Sequence, residues 1–387
     1  MMVRAFLETP VPGNIAYSPA IIAKSIAEGL HKHGHHITFF GPEGTKLDVD
    51  AIETCSIHPV AQDQAELDDF VGTTELFADY RPALYDAYMV KQIMRRAQNG
   101  EFDAVLFHHF ESAMPIAALF PDVPVIYVLH DFIDEDRRKL IELHSTPNQY
   151  FISISDSQRR DAPDLNYAAT IYNGIDISMF TPDGDPEEDY LMISGRITPD
   201  KGIKEAVQIA MQADKKLLIS GSVTKSDHWY FDEYIKPYLS NRILFLGMLE
   251  REQLVKYYQN AAGFLAPLQW QEPFGLTLVE AGACGTPVIA FNRGSVPEII
   301  KDGKTGFIVN NSAEMILAIE KLDRIKRKDC REHIAKHFSE ETMVANYEAV
   351  IGKIVAEHKR KTTMPFLQRN KALGQKMRRI SKRLLSS

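Results

Sequence analysis

Short apolar runs alternating with helical repeats set the rhythm of this chain. Val3–Leu7 is apolar, TPVPGN follows, and Ile21, Ile22, Ile26 and Leu30 recur at helical spacing before Gly34. His36–Phe40 returns to strand character, so the opening predicts strand, loop, helix, strand: the start of a parallel α/β sheet. From Asp103, DAVLFHH and VPVIYVLHDF predict two buried strands with a helix around Met114–Leu119 between them. YFISISDS (150–157) predicts a further strand with a helix cap at Ser155 or Asp156, and ATIYNGIDISMFTP (169–182) a strand followed by a turn. The rhythm resumes in YLMISG (190–195), KLLISG (216–221), RILFLG (242–247), GFLAPL (263–268), TPVIAF (286–291) and TGFIV (305–309). Residues 340–358 carry helical periodicity.

A chain of 387 residues is long for one domain. The polar stretch TPDGDPEED (181–189) reads as the linker between two α/β units, 1–180 and 181–338, followed by a helix (339–358) and a tail (359–387). Ligands of parallel sheets bind outside the carboxyl ends of the strands. Candidate chemistry is therefore sought in the loop holding Gly13 and Asn14, in the strand-end histidines His108, His109 and His130, and after YLMISG. There Arg196 and Lys201 leave one strand together and can reach one anion, the arginine as a bidentate fork, the lysine as a point charge.

The densest stretch is EPFGLTLVEAGACG, residues 272–285. Pro273, Phe274 and Gly275 end an extended segment; Leu276, Leu278, Val279 and Ala283 suit a short helix that Gly285 stops. Glu272 then precedes the helix and Glu280 lies about 8 Å along it, at 1.5 Å per residue. Between the two carboxylates are unpaired amides at the positive end of a helix dipole, a ready anion site. A nucleotide-sugar has the matching shape: hydroxyls, diphosphate, hydroxyls.

E-P-F-G-L-x3-E-A-x-A-x-G-x-P-V-I, with GSVPEII and DGKTGFIV downstream, resembles retaining glycosyltransferases of family four. The resemblance runs over roughly residues 3–350 and is strongest from about 190 to 310. It implies the GT-B fold, two Rossmann-like domains facing a central cleft, with the first domain for the acceptor and the second for an NDP-sugar donor, UDP- or GDP-linked. By the same resemblance Glu272 faces the donor sugar, Glu280 binds the ribose, and Arg196 and Lys201 bind the diphosphate. The amides near Gly275, Leu276 and Thr277 assist them. His130 contacts the sugar from the opposite domain, Gly247 and Met248 edge the nucleobase, and the helix after residue 338 crosses back to the first domain. Phe274 belongs to the same donor-binding set. Paired glycines are common in the family's first loop; only Gly13 stands here, so that loop meets either phosphate or acceptor. Glu298 reads as a structural residue. Other readings are a nucleotide-sugar epimerase of the same fold, against which the spacing of Glu272 and Glu280 argues, and a nucleotide-sugar-binding protein without turnover.

Composition trims the alternatives. The net charge of −8 hides ten Lys/Arg and no acid in residues 359–387; residues 1–358 hold 34 basic and 52 acidic residues, a charge of −18. An acidic body argues against a nucleic-acid groove. The triplets Asp48-Val49-Asp50, Asp134-Glu135-Asp136 and Asp183-Gly184-Asp185 match the D-x-D metal signature of the other glycosyltransferase fold, but none follows a convincing buried strand, and no metal or other cofactor is expected. The cluster His31, His33, His35 and His36 straddles a helix end and a strand start, so its members cannot all converge on a metal. GKT at 303–305 lacks the earlier glycine of a P-loop. Three cysteines with no metal spacing, too short an apolar core for a signal peptide, and no run of 18 apolar residues suit a cytoplasmic protein. In the tail Phe366, Leu367, Leu373, Met377, Ile380 and Leu384 interleave with the basic residues, the pattern of a peripheral anchor on anionic lipid. A helix packed on the acidic body, or a disordered tail, would carry the same pattern. A lipid-linked or cell-envelope glycan is the acceptor this tail would suit.

Overall fold

A computed structural model describes residues 1–5, 7–11, 17–59, 61, 76–183 and 189–361, excepting the side chains of 76–81. The described residues form two parallel sheets. The first contains β1 (Thr38–Phe40), β2 (Ala51–Glu53), β3 (Val105–Phe107), β4 (Val125–Val128), β5 (Gln149–Ser153) and β6 (Tyr167–Thr170). Its strands run β2-β1 and β3-β4-β5-β6, and Met2 stitches the two groups by bridging Phe40 and Phe107. The described residues of the expected strand over Val3–Leu7 form no strand. The chain bonds as a strand only at Met2, whose N–H donates to the Leu106 carbonyl and whose own carbonyl accepts from His108 N–H, and Ala5 turns aside to donate its N–H to Asp86.

The second sheet contains β7 (Tyr190–Ser194), β8 (Lys216–Ser220), β9 (Ile243–Phe245), β10 (Gly263–Ala266), β11 (Val288–Phe291) and β12 (Gly306–Val309). Its order is β12-β11-β10-β7-β8-β9, all parallel. From the adjacent β7 and β10 the chain winds outward in opposite directions, so the crevice beyond their carboxyl ends is the topological switch point at which such sheets take ligands. β7, β10 and β11 are buried throughout, which is why they read as continuous apolar runs.

The two halves are tied at several points. Glu298 accepts the Asp156 and Ser157 N–H groups at 2.8 Å each, giving the glutamate a structural part across the junction. The Phe274 ring lies tilted against Tyr172 and edge-on to Phe338, at centroid distances of 6.3 and 6.0 Å. Ile175 bridges Ser339, after which a helix over 340–361 returns along the first half. The Ser339 hydroxyl caps this helix by accepting the Thr342 N–H. Its Val344 packs on Gly29 of the helix Ser18–Lys32, and its Glu348 accepts from His33 and His35 at 2.8 and 2.9 Å. His31 and His36 instead share Asp50, so the histidine cluster divides between two carboxylates. Asp134 caps the helix Glu135–His144. No helix among the described residues is long and apolar enough to cross a membrane.

Candidate active site

A cavity of about 370 Å³ opens between the carboxyl edges of the two sheets. From the first half come Tyr17, His130, Asp131 and Asn173; from the second come Arg196, Lys201, Met248, Glu272, Phe274, Gly275, Leu276, Thr277 and Glu280. Two expected contributors stand apart. Gly247 does not line it; its carbonyl accepts Gly221 N–H and the Ser220 hydroxyl, and Met248 reaches the cavity in its place. Gly13 lies outside the described residues, as does the tail from 362.

Lys201 and Glu272 form the centre of the wall contributed by the second half. Lys201 leaves a short 3₁₀ turn, Pro199–Lys201, and its Nζ lies 2.6 Å from Glu272 Oε2. The same oxygen accepts Trp270 Nε1–H at 3.2 Å, and the ammonium stands 4.7 Å from the indole centre. The pair is half-sheltered, with the lysine side chain 20% and the glutamate 10% exposed. Arg196 is exposed on the same wall and makes no ion pair among the described residues, so its fork is open to an incoming anion.

The backbone around Glu272 is held from behind. Ser295 N–H donates to the Glu272 carbonyl at 2.9 Å, and the Ser295 hydroxyl donates to the Phe274 carbonyl at 2.6 Å. A Cβ on Gly294 would lie 2.1 Å from the Glu272 carbonyl oxygen, so only glycine permits this approach. Gly275, at φ +90°, then turns the chain into the helix Leu276–Ala283, whose first residues line the cavity.

Glu280 is buried, and burial pushes its carboxyl up to about 7, partly opposed by the Arg251 charge and by donation from Tyr258. Tyr258 comes from the helix Arg251–Asn260; its hydroxyl donates to Glu280 Oε2 at 3.3 Å and shares a 2.6 Å hydrogen bond with Ser194 at the end of β7. Sequence reading missed Tyr258, Ser194 and Trp270. Only the strand end YLMISG pointed towards Ser194; nothing marked the other two.

Across the cavity, His130 Nε2 meets His108 Nδ1 at 3.0 Å, with the rings stacked 5.2 Å apart and 19° from parallel. Burial depresses His130 to about 3 and His108 well below the usual imidazole range, so both are neutral at physiological pH. His109 points elsewhere, buried against Phe107.

Two Rossmann-like sheets facing a cavity at the switch point, with cationic side chains on one wall, define the GT-B class of proteins. Solved structures agree: sucrose-phosphate synthase from Thermosynechococcus elongatus has a TM-score of 0.72 at 18% identity, over 92% of this chain and 98% of that one. Anabaena HepE, solved in complex with UDP and glucose, has a TM-score of 0.65 at 16% identity, over 91% and 99%. Residues 20–179 match the family description Glycosyltransferase Family 4, and residues 176–340 match Glycosyl transferases group 1. The chain belongs to the family-four glycosyltransferases. Among its relatives, the D-inositol 3-phosphate glycosyltransferase of Mycobacterium sp. (strain KMS) is 34% identical over 264 residues, 62% of this chain and 58% of that protein. The N-acetyl-alpha-D-glucosaminyl L-malate synthase of Bacillus anthracis is 29% identical over 172 residues, 41% and 44%. The chain thus spans less than two thirds of the curated relatives it matches.

Proposed function

We propose that this chain transfers a sugar from a nucleoside-diphosphate sugar to a hydroxyl-bearing acceptor, with retention at the anomeric carbon. The carrying observation is the single cavity that gathers Arg196, Lys201, Glu272, the helix start at Gly275–Thr277 and Glu280 on one wall and His130 on the other. Glu280 accepts from the ribose hydroxyls and Glu272 from those of the sugar. Arg196, Lys201 and the amides of Leu276 and Thr277 take up the negative charge that grows on the diphosphate as the C1–O bond breaks. Lys201 is held beside Glu272 before the donor arrives, so the diphosphate enters next to a cation that is already oriented. With three sources of positive charge in place, turnover is expected without a divalent metal. His130 reaches the sugar from the other half, which makes closure of the cleft part of assembling the site. Met248 edges the base. Phe274, 2% exposed and packed against Tyr172 at the junction, shapes the cavity from behind. The basic tail is proposed to hold the enzyme on an anionic surface next to a lipid-linked acceptor.

Proton NMR of UDP- and GDP-sugars incubated with the protein, with and without candidate acceptors, tests this reading. A transferase releases NDP in an acceptor-dependent way. Conversion of the sugar without acceptor would show an epimerase, and an unchanged donor across the panel would show a binding protein.

A further inference from the structure

We propose that His108 fixes the tautomer of His130, so that the imidazole on the cavity wall presents an N–H at Nδ1. The two residues follow β3 and β4, neighbouring parallel strands paired Phe107 to Tyr127, which brings them side by side just past the sheet edge. The His108 backbone is fixed as well: its N–H donates to the Met2 carbonyl. His130 Nε2 is committed to His108 Nδ1, and His130 lines the cavity, so Nδ1 is the nitrogen left for a ligand.

One proton lies between the two rings, and it has two possible owners. If His130 donated from Nε2, His108 would accept at Nδ1 and carry its own proton on Nε2. That atom is buried and has no partner among the described residues, so it would be an orphaned donor. Orphaned buried N–H groups are rarer and costlier than bare acceptors. With His108 donating from Nδ1, its Nε2 is bare, His130 accepts at Nε2, and the proton of His130 must sit on Nδ1. Burial disfavours a charge on either ring, and protonating both would set two like charges 3.0 Å apart, so the pair is neutral.

The consequence is a neutral donor aimed into the cavity: His130 can donate to a sugar oxygen but cannot act as its base. His108, which does not line the cavity, is a positioning residue. The part played at the sugar rests on the transferase reading; the tautomer does not, because it is set without any ligand. An exposed imidazole prefers the Nε2–H form, so the proposed state differs from the default.

Long-range ¹H–¹⁵N spectra of the full chain with labelled histidine, assigned by comparison with His130→Gln, read the tautomer directly. The expected spectrum shows His130 as Nδ1–H near pH 7. His108→Phe, a replacement of similar shape, is expected to shift His130 towards Nε2–H and to lower kcat at least tenfold while UDP affinity changes less than threefold. An Nε2–H or charged His130 in the unaltered protein would overturn the proposal, and so would an unchanged tautomer in His108→Phe. A protein with the expected spectrum that turns over no nucleotide-sugar would instead refute the transferase reading.

Discussion

Lys201 Nζ sits 2.6 Å from Glu272 Oε2, joining two residues 71 positions apart in the chain. The contact makes each residue responsible for the other's charge in a half-buried wall. Truncating one partner of such a pair leaves the other uncompensated. Lys201→Met should therefore lower stability by about 1–3 kcal/mol, discounted from the fully buried case because the pair is partly exposed. It should also reduce turnover by two orders of magnitude or more. Denaturant unfolding and steady-state kinetics check both. A folded variant of full stability and near-normal turnover would remove Lys201 from the site.

Arg196 separates the two effects. It is exposed and unpaired among the described residues, so Arg196→Ala should leave unfolding unchanged. Losing one charge-stabilising donor should still cost about 2.7–4 kcal/mol of transition-state stabilisation. Turnover within threefold of the unaltered enzyme would argue that the diphosphate lies elsewhere.

Glu280 links pH to stability and to binding with opposite signs. Its carboxyl rises from 4.5 to about 7 on folding. Below 4.5 it is neutral in both states. Between 4.5 and 7 the unfolded chain gives up the proton first, so stability falls as pH rises, by roughly 3 kcal/mol in all. Donor affinity should move the other way, because an ionised carboxylate accepts both ribose hydroxyls. A nucleotide-sugar suits the titration, since its diphosphodiester has no proton to lose near pH 7. In Glu280→Gln both slopes should vanish; a slope that persists belongs to another group.

Much of the second sheet was legible because β7, β10 and β11 are buried on both faces and carry unbroken apolar runs. The turn at Gly275 and the helix after it were legible from Pro273, Phe274 and Gly275. The first strand was misread: Val3, Ala5 and Leu7 are apolar because they are buried, yet the Ala5 N–H is satisfied by Asp86 rather than by a neighbouring strand. Tyr258 and Trp270 could not be found from sequence, since their role lies in hydrogen bonds to Glu280 and Glu272 that only the packed helices and loops create. The hold of Gly294 and Ser295 on the Glu272 backbone is of the same kind, a long-range approach with no local periodicity.

The basic tail leads to a separate expectation. Full-length protein should float with anionic but not neutral liposomes, each basic residue near the surface adding about 1 kcal/mol, and a chain ending at His358 should not float. Equal behaviour of the two would detach the membrane from the account.

Metal dependence is checked by assaying in EDTA. Activity should persist, because the proposed reading assigns the positive charge to Arg196, Lys201 and the helix amides; activity lost to EDTA and restored by manganese would contradict that division of labour.

The two carboxylates are proposed to divide one donor between them, and calorimetry with free NDP, paired with turnover of the NDP-sugar, measures that division. Glu280→Ala should weaken NDP binding at least tenfold. Glu272→Ala should leave NDP binding within about threefold while turnover falls by two orders of magnitude or more. Intact NDP binding in Glu280→Ala, or full turnover in Glu272→Ala, would contradict it.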